Sequence, residues 1–301
     1  MNHDRKTILV GLDFFDSSIA ALAEAIRIRE WTDARLIAAH VIDERLWHQL
    51  AEEFHLSEDE VTHRAETRMR NEIIEVAGAS SEIESAIMMG HPVKEMLSAC
   101  NKYQADLMVL GAQGLKESKS TSLGNVATRL LRNAPIDLLL VRRSQSHPFR
   151  KVFACVDLSD ASDSVVEKAI DIANQDQAEL TIIHVMPHLQ DLPTLRSPLE
   201  ALGFYEIKLE GPPQLGLIKK ANEDLEILLE RHRHRIHRAH AHTHLVANDD
   251  ATNGLLHAAD EAKAELLVIG KHGHSRLLDI SVGSTAEKVA HRAAQSVLFV
   301  A

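Results

Sequence analysis

The sequence contains little cysteine, few aromatic residues and no long apolar run. Among 301 residues there are two cysteines, and Phe, Trp and Tyr together make up 4%. Cys100 and Cys155 are far apart in the chain, which excludes a disulfide framework and a cysteine-rich metal site. No apolar run is long enough to span a membrane, and Asp13 interrupts the N-terminal run, so it does not resemble a secretory signal. We therefore expect a globular protein of the cytoplasm.

Positive charge is also in deficit. The chain has 33 Lys and Arg residues but 44 Asp and Glu residues, which gives a formal net charge of -11 with neutral histidines. Such a chain repels the phosphate backbone of nucleic acids and anionic membrane surfaces, so we expect neither as a partner. The 45% of hydrophobic residues are mostly aliphatic, which suits helices packed against a sheet.

The chain repeats itself. TILVGLDFFDSS near the start matches KVFACVDLSDAS near the middle, and Asp13 and Asp157 have the same spacing as His40 and His184. DLMVLGAQG matches ELLVIGKHG, and IDLLLV matches SVLFVA. The second copy is longer, with the extra residues in 187–218. We therefore predict two domains, 1–146 and 147–301, with the boundary in the polar stretch RRSQSHPFR.

Within each copy, short apolar runs alternate with helical periods. Runs such as LIAAHV lack polar alternation, as strands covered on both faces do. This pattern predicts an α/β fold with two tandem, doubly wound parallel sheets of about five strands each, similar to the Rossmann fold. We expect LLLV of the first copy and LFVA of the second to pair, which would form a pseudo-twofold unit within one chain. A further homodimer is left open.

A glycine pattern in the second copy indicates a phosphate site. Gly270 and Gly273 follow the strand LLVI, and Gly283 precedes a helix that starts with Ser284 and Thr285. Backbone N–H groups of such a loop and of a helix N-terminus bind anions. Residues 284–287, STAE, also suggest a capping box. Asp157, at the end of the first strand of this copy, is suited to a ribose, a base or a metal on the phosphates.

These motifs resemble those of the universal stress protein family, and the resemblance covers nearly the whole chain twice. It implies a tandem member of that family, with a role in stress survival and little or no catalysis. Some members bind ATP, and dimers form through the last strands. By position, Asp157 would contact the adenosine, and the backbone of Val185 would lie beside the adenine. The residues that would hold the ribose and phosphates of ATP, with Mg²⁺, are Gly270, Gly273, Gly283, Ser284 and Thr285.

The first copy departs from the motif. Asp13 and the three glycines are kept, but Asn125 replaces the hydroxyl residue and Thr128 stands where the second copy has Glu287. Asparagine is bulkier than serine at the point where a phosphate would approach. We therefore predict that this altered first site is weakened or vacant for ATP. Its residues are Asp13, Gly111, Gly114, Gly124 and Asn125.

Two other features leave alternatives open. The run RHRHRIHRAHAHTHL would place His242 and His244 on one face of a strand, which suits zinc, although the spacing is not diagnostic and histidines that simply face water explain the run better. The insertion 187–218 is apolar for a loop and could cover the nucleotide, bind a hydrophobic ligand or partner, or form a short packed helix.

The sequence leaves three functions open. The leading one is a nucleotide-binding stress protein with little or no turnover. A slow ATPase or phosphotransferase would need a base near the γ-phosphate, for which Asp157, His272 and His274 are the candidates. A scaffold or carrier for an apolar ligand would use the insertion and the altered first pocket.

Overall fold

The computed structural model describes residues 5–79, 82–112, 123–142, 146–186, 213–273 and 282–301. The elements of the first copy are β1 (Thr7–Gly11), α1 (Asp16–Thr32), β2 (Arg35–Asp43), α2 (Glu44–Phe54), α3 (Glu58–Ala77), β3 (Glu84–Gly90), α4 (Pro92–Tyr103), β4 (Leu107–Gly111), α5 (Asn125–Asn133) and β5 (Asp137–Val141). Those of the second are β6 (Lys151–Val156), α6 (Ala161–Asp176), β7 (Glu179–Met186), α7 (Pro213–His232), a 3₁₀ turn (Arg233–Arg235), β8 (His240–Ala247), α8 (Ala251–Ala262), β9 (Leu266–Gly270), α9 (Ser284–Arg292) and β10 (Ser296–Val300).

The chain forms two compact units. The first contains Met1–Phe149 together with Glu265–Ala301, and the second contains Arg150–Ala264. The last two strands of the second copy, β9 and β10, thus belong to the same compact unit as the whole first copy. Among the described residues, no helix is both long and apolar enough to cross a membrane.

The sheet of the first unit has the strand order β3-β2-β1-β4-β5-β10-β9. Neighbouring strands in this sheet are parallel, except that β5 and β10 pair antiparallel, with Leu139 opposite Leu298. Both of these strands are buried along their whole length, because helices cover the two faces of a parallel sheet. The strand order reverses between β1 and β4, so the carboxyl ends of these two strands border a crevice where ligands bind in open α/β sheets.

The second unit contains the parallel strands β6, β7 and β8, with α6, α7 and α8. An ionic network joins the end of α7 to α6. Nε2 of His232 lies 2.7 Å from the Asp163 carboxylate, which also accepts a hydrogen bond from Arg231. Arg235 pairs with Glu167 and Asp171. Because His232 is buried, this network fixes the C-terminal end of α7 on α6.

The predicted α/β class and the strand-helix alternation are confirmed, but the predicted capping box in STAE is wrong. Gly283 is the N-cap of α9 and Ser284 is already helical, so the N-cap residue has no side chain that could form the box. The Glu287 carboxylate pairs with Arg132 of α5 instead. A capping box does form at α3, where Ser57 itself occupies the N-cap position.

Candidate functional site

A cavity of about 290 Å³ lies in the first unit, where β1 and β4 end. Most of its lining is apolar, including Pro92, Met96, Leu110 and Leu130. Four residues of the sequence-predicted first site line it together: Asp13, Gly111, Gly124 and Asn125. Gly114, the fifth, lies outside the described residues. The strand order therefore gathers residues that are far apart in sequence around one small-ligand cavity.

Close packing explains one glycine of this site. A Cβ atom at Gly111 would lie 2.5 Å from the carbonyl carbon of Ser17 and 2.6 Å from its oxygen. These are main-chain atoms of the first turn of α1, which cannot move aside without shifting the helix. Gly111 is thus required for the approach of α1 to β4, whether or not a ligand binds there.

Histidine 40 contributes a neutral acceptor to the cavity lining. Its Nδ1 lies 2.7 Å from the main-chain oxygen of Leu12, and since a carbonyl only accepts, Nδ1 carries the hydrogen. Burial lowers the pKa of His40, against the raising effect of that hydrogen bond. The ring is therefore uncharged at neutral pH, and its Nε2 carries a lone pair. The sequence showed this histidine as a landmark of the repeat but gave no sign that it lines the cavity.

Phenylalanine 14 stacks beside this histidine. Its backbone is left-handed, with φ 64°, and its ring centroid lies 4.4 Å from that of His40. The guanidinium of Arg68, in α3, lies over the Phe14 ring, 4.8 Å from its centroid. It also donates a hydrogen bond to the carbonyl oxygen of Phe14. The contacts of the Phe14 ring with the Arg68 guanidinium and the His40 imidazole thereby fix the turn after β1.

The second unit repeats the geometry of this turn. Oδ1 of Asp157 accepts hydrogen bonds from the backbone N–H and hydroxyl of Ser159 and from the hydroxyl of Ser162. Leu158 has a left-handed φ of 61°, as Phe14 does. Nδ1 of His184 lies 2.9 Å from the oxygen of Val156. Asp157 is thus held at the end of β6 in a fixed orientation, and Val185 follows His184 in β7.

The glycine pattern of the second copy lies in the first unit. Gly270 ends β9, and Gly283 donates its N–H to the oxygen of Lys271 at 2.7 Å. Gly124 makes the corresponding bond to Ala112, at 3.2 Å, so both copies close the loop in the same way. Gly273 is described, whereas residues 274–281 lie outside the described part of the chain. Asp157 and Val185 belong to the second unit.

Lysine 271 directly follows Gly270, at a position that alanine occupies in the first copy. Its side chain is 2% exposed, and Nζ donates to the main-chain oxygens of Ala134 at 2.7 Å and Ile136 at 2.6 Å. These oxygens lie at the turn from α5 to β5. Burial lowers the pKa of Lys271 to about 8, against the opposing charge effects of Asp137 and Cys100. The sequence indicated nothing of this contact.

The histidines predicted as zinc ligands lie on an exposed face of β8. The side chain of His242 is 51% exposed, and its Nε2 lies 3.0 Å from the Thr181 hydroxyl. His244 is exposed as well. In the parts of the chain that the structure describes, no group of three or more His, Cys, Asp or Glu residues could hold a metal ion. His274 and residues 187–212 of the insertion lie outside those parts.

Comparisons with known proteins agree with this architecture. The model of the universal stress protein family matches residues 4–142 and again 148–301. A universal stress protein of Mycobacterium tuberculosis is 32% identical over 146 residues, which is 45% of this chain and 95% of that protein. One of Thermus aquaticus is 32% identical over 139 residues, 46% of this chain and 98% of that protein.

Among solved structures, a universal stress protein from Archaeoglobus fulgidus has the same fold over both copies. It is 18% identical, with a TM-score of 0.62, and the match covers 98% of this chain and 97% of that one. This likeness shows the fold alone. Since the family model matches both halves, the chain belongs to the universal stress protein family, as a member with two tandem copies of the family's domain.

Proposed function

We propose that this protein binds an adenine nucleotide, ATP with Mg²⁺, at the motif of its second copy, and acts through binding rather than catalysis. The observation that carries the proposal is the start of α9. Gly283 is the N-cap, with extended backbone, and this residue has no side chain to cap the helix. The N–H groups of Ser284, Thr285 and Ala286 therefore have no partner within the helix, and together with the helix dipole they favour a phosphate.

The remaining contacts follow from the family's motif. Asp157 would contact the adenosine, the backbone of Val185 would lie beside the adenine, and Gly270 and Gly273 would contact the ribose and phosphates. The fixed orientation of the Asp157 carboxylate supports this assignment. We place the boundary between the two domains at residues 146 and 147. A role in stress survival in the cytoplasm follows from the family.

We propose that the first cavity binds ATP weakly or not at all. Asn125 is the first residue of α5 and lines the cavity, at the position that Ser284 has at the start of α9. The apolar lining of the cavity also favours an uncharged ligand over a polyphosphate. One bound nucleotide per chain is the expected stoichiometry.

The pairing of the two copies would replace the homodimer of the family. The antiparallel contact of β5 with β10 supports this proposal, because it satisfies the hydrogen-bonding edges of both strands. A single chain would then form the unit that two chains form elsewhere.

The direction of the Lys271 side chain argues against efficient phosphoryl transfer. In phosphotransferases a lysine next to a glycine loop holds the transferring phosphate. Here the lysine that follows Gly270 is buried, with Nζ bound to two carbonyl oxygens of the α5–β5 turn. It is therefore not available to a bound phosphate, which favours binding without turnover.

Calorimetry with ATP and Mg²⁺ tests the proposal. The double variant Gly283→Val, Ser284→Ala should lose binding. A Cβ at Gly283 would lie 3.4 Å from the Lys271 oxygen, an ordinary contact, so there is room for the β-carbon. The matched control is Gly124→Val in the first copy, which should bind as the wild type does. Absence of binding in the wild type, or loss only in the Gly124 variant, would overturn the proposal.

A further inference from the structure

We propose that Arg132 of the first copy is a positioning residue for the nucleotide motif of the second copy, because it neutralises Glu287 at the phosphate-binding end of α9. The inference rests on the proposed function. It makes the nucleotide affinity of one copy depend on a side chain of the other.

The first part of the argument is the charge of Glu287. This residue lies in the first turn of α9, the helix end that would receive the phosphates. A carboxylate there stabilises the helix through its dipole but repels a polyanion that approaches the same N–H groups. The first copy has the uncharged Thr128 at this position, and its hydroxyl donates to the oxygen of Gly124. The negative charge of Glu287 therefore weakens anion binding in the second copy, whereas the first copy has no charge at this position.

The second part is the origin of the compensating charge. The guanidinium of Arg132, in the last turn of α5, forms an ion pair with the Glu287 carboxylate. The two side chains are 46% and 31% exposed, so the pair lies at the surface, open to an incoming ligand. Arg132 comes from the first copy, so the charge of Glu287 in the second copy is offset by a residue of the other copy.

The third part is the fixed position of the end of α5. The ammonium group of Lys271 binds the oxygens of Ala134 and Ile136, directly after this helix. Arg142, directly after β5, donates from its guanidinium to the oxygen of Ala290 in α9. These contacts tie the α5–β5 turn to the end of β9, and the end of β5 to α9, so that Arg132 stays opposite Glu287.

The test measures ATP affinity by calorimetry, at low and high salt, for four variants of the full chain. Arg132→Ala should weaken binding by roughly three- to tenfold at low salt, because it leaves the Glu287 carboxylate uncompensated. Glu287→Gln should tighten binding, and Arg132→Ala with Glu287→Gln should return to within about twofold of the wild type. The loss in Arg132→Ala should shrink at high salt, since the pair is exposed.

Arg129→Ala is the matched control. Arg129 lies on the same helix and is also exposed, but its guanidinium contacts His91 of the first copy. Its removal should leave the affinity unchanged.

The rescue separates charge compensation from a merely structural role. If Arg132 only supported the fold of the loop, Arg132→Ala would still weaken binding, but Glu287→Gln would not restore it, and the inference would be wrong. It would also be wrong if Arg132→Ala bound ATP as tightly as the wild type. A wild type that binds no ATP would instead overturn the proposed function, which this inference requires.

Discussion

Replacing Lys271 by methionine should remove a pH dependence from the stability of the protein. Methionine has a similar length and no charge, so the variant removes the buried ammonium group while it keeps most of the packing. Burial lowers the pKa of Lys271 from 10.5 to about 8 in the folded chain. Between these two values the unfolded chain holds a proton that the folded chain has lost, so the wild type gains stability as the pH rises.

The size of this gain follows from the shift. One pKa unit corresponds to about 1.4 kcal/mol, so the free energy of unfolding of the wild type should increase by up to about 3 kcal/mol relative to Lys271→Met across the range. The comparison must be a difference between the two proteins, because buried thiols act in the opposite direction. Burial raises the pKa of Cys155 to about 12, which lowers stability at high pH in both proteins. Burial also raises the pKa of Cys100 to about 11, and because the charge of Lys271 opposes this rise, the loss from Cys100 is larger in the variant and adds to the expected difference.

Urea unfolding followed by circular dichroism, at several pH values between 6 and 10.5, measures this difference. We expect the curve for the wild type minus the variant to rise with pH and to be flat below pH 8. A difference that stays constant over the whole range would show that the Lys271 amine has an ordinary pKa, and would refute the interpretation of its burial.

Three further predictions concern packing, the first cavity and the ionic network. Gly111→Ala should lower the free energy of unfolding by about 1–3 kcal/mol, since its Cβ would overlap the main chain of Ser17; thermal unfolding measures this. Asn125→Ser should raise the ATP stoichiometry from one to two in calorimetry, because it restores the hydroxyl at the start of α5. Hydrogen bonds from His232 and Arg231 lower the pKa of Asp163 although burial opposes them, so its stabilising effect is present above the ordinary pKa and is lost in acid. Asp163→Asn should therefore destabilise the protein at neutral pH and less at low pH.

Each of these has a control or a contrary outcome. Gly216→Ala, at a helical position with open space around the added methyl, should stabilise the protein by up to about 1 kcal/mol, in contrast to Gly111→Ala. An unchanged stoichiometry in Asn125→Ser would show that the amide is not what weakens the first site. An Asp163→Asn variant with the same loss of stability at every pH would show that packing, and not charge, accounts for its role.

Much of the fold could be predicted from the sequence, because it depends on patterns that repeat. Apolar runs without polar alternation gave the parallel strands, and the constant spacing of Asp13 with Asp157 and of His40 with His184 gave the tandem arrangement. Both patterns are local or periodic, and the physical requirement behind them, burial of both sheet faces, does not depend on details of packing.

The site could be predicted only in part. The residues of the first cavity were found through their motif, but the roles of Lys271 and Arg132 could not be found, since each depends on a partner more than a hundred residues away. Only the three-dimensional structure shows that the ammonium group of Lys271 is buried and bound to two main-chain oxygens. The capping box failed for a related reason: a suitable tetrapeptide does not determine which of its neighbours becomes the N-cap, and here Gly283 does.

The antiparallel contact of β5 with β10 joins strands of one chain, and this has a consequence for how the protein responds to dilution. Two separate chains that share such a contact dissociate when their concentration falls below the dissociation constant. Strands tied to one backbone meet at a local concentration that the cell cannot change, so their contact forms during folding and persists at any abundance. A ligand site supported by that contact would remain assembled even when very few molecules are present, as at the onset of expression.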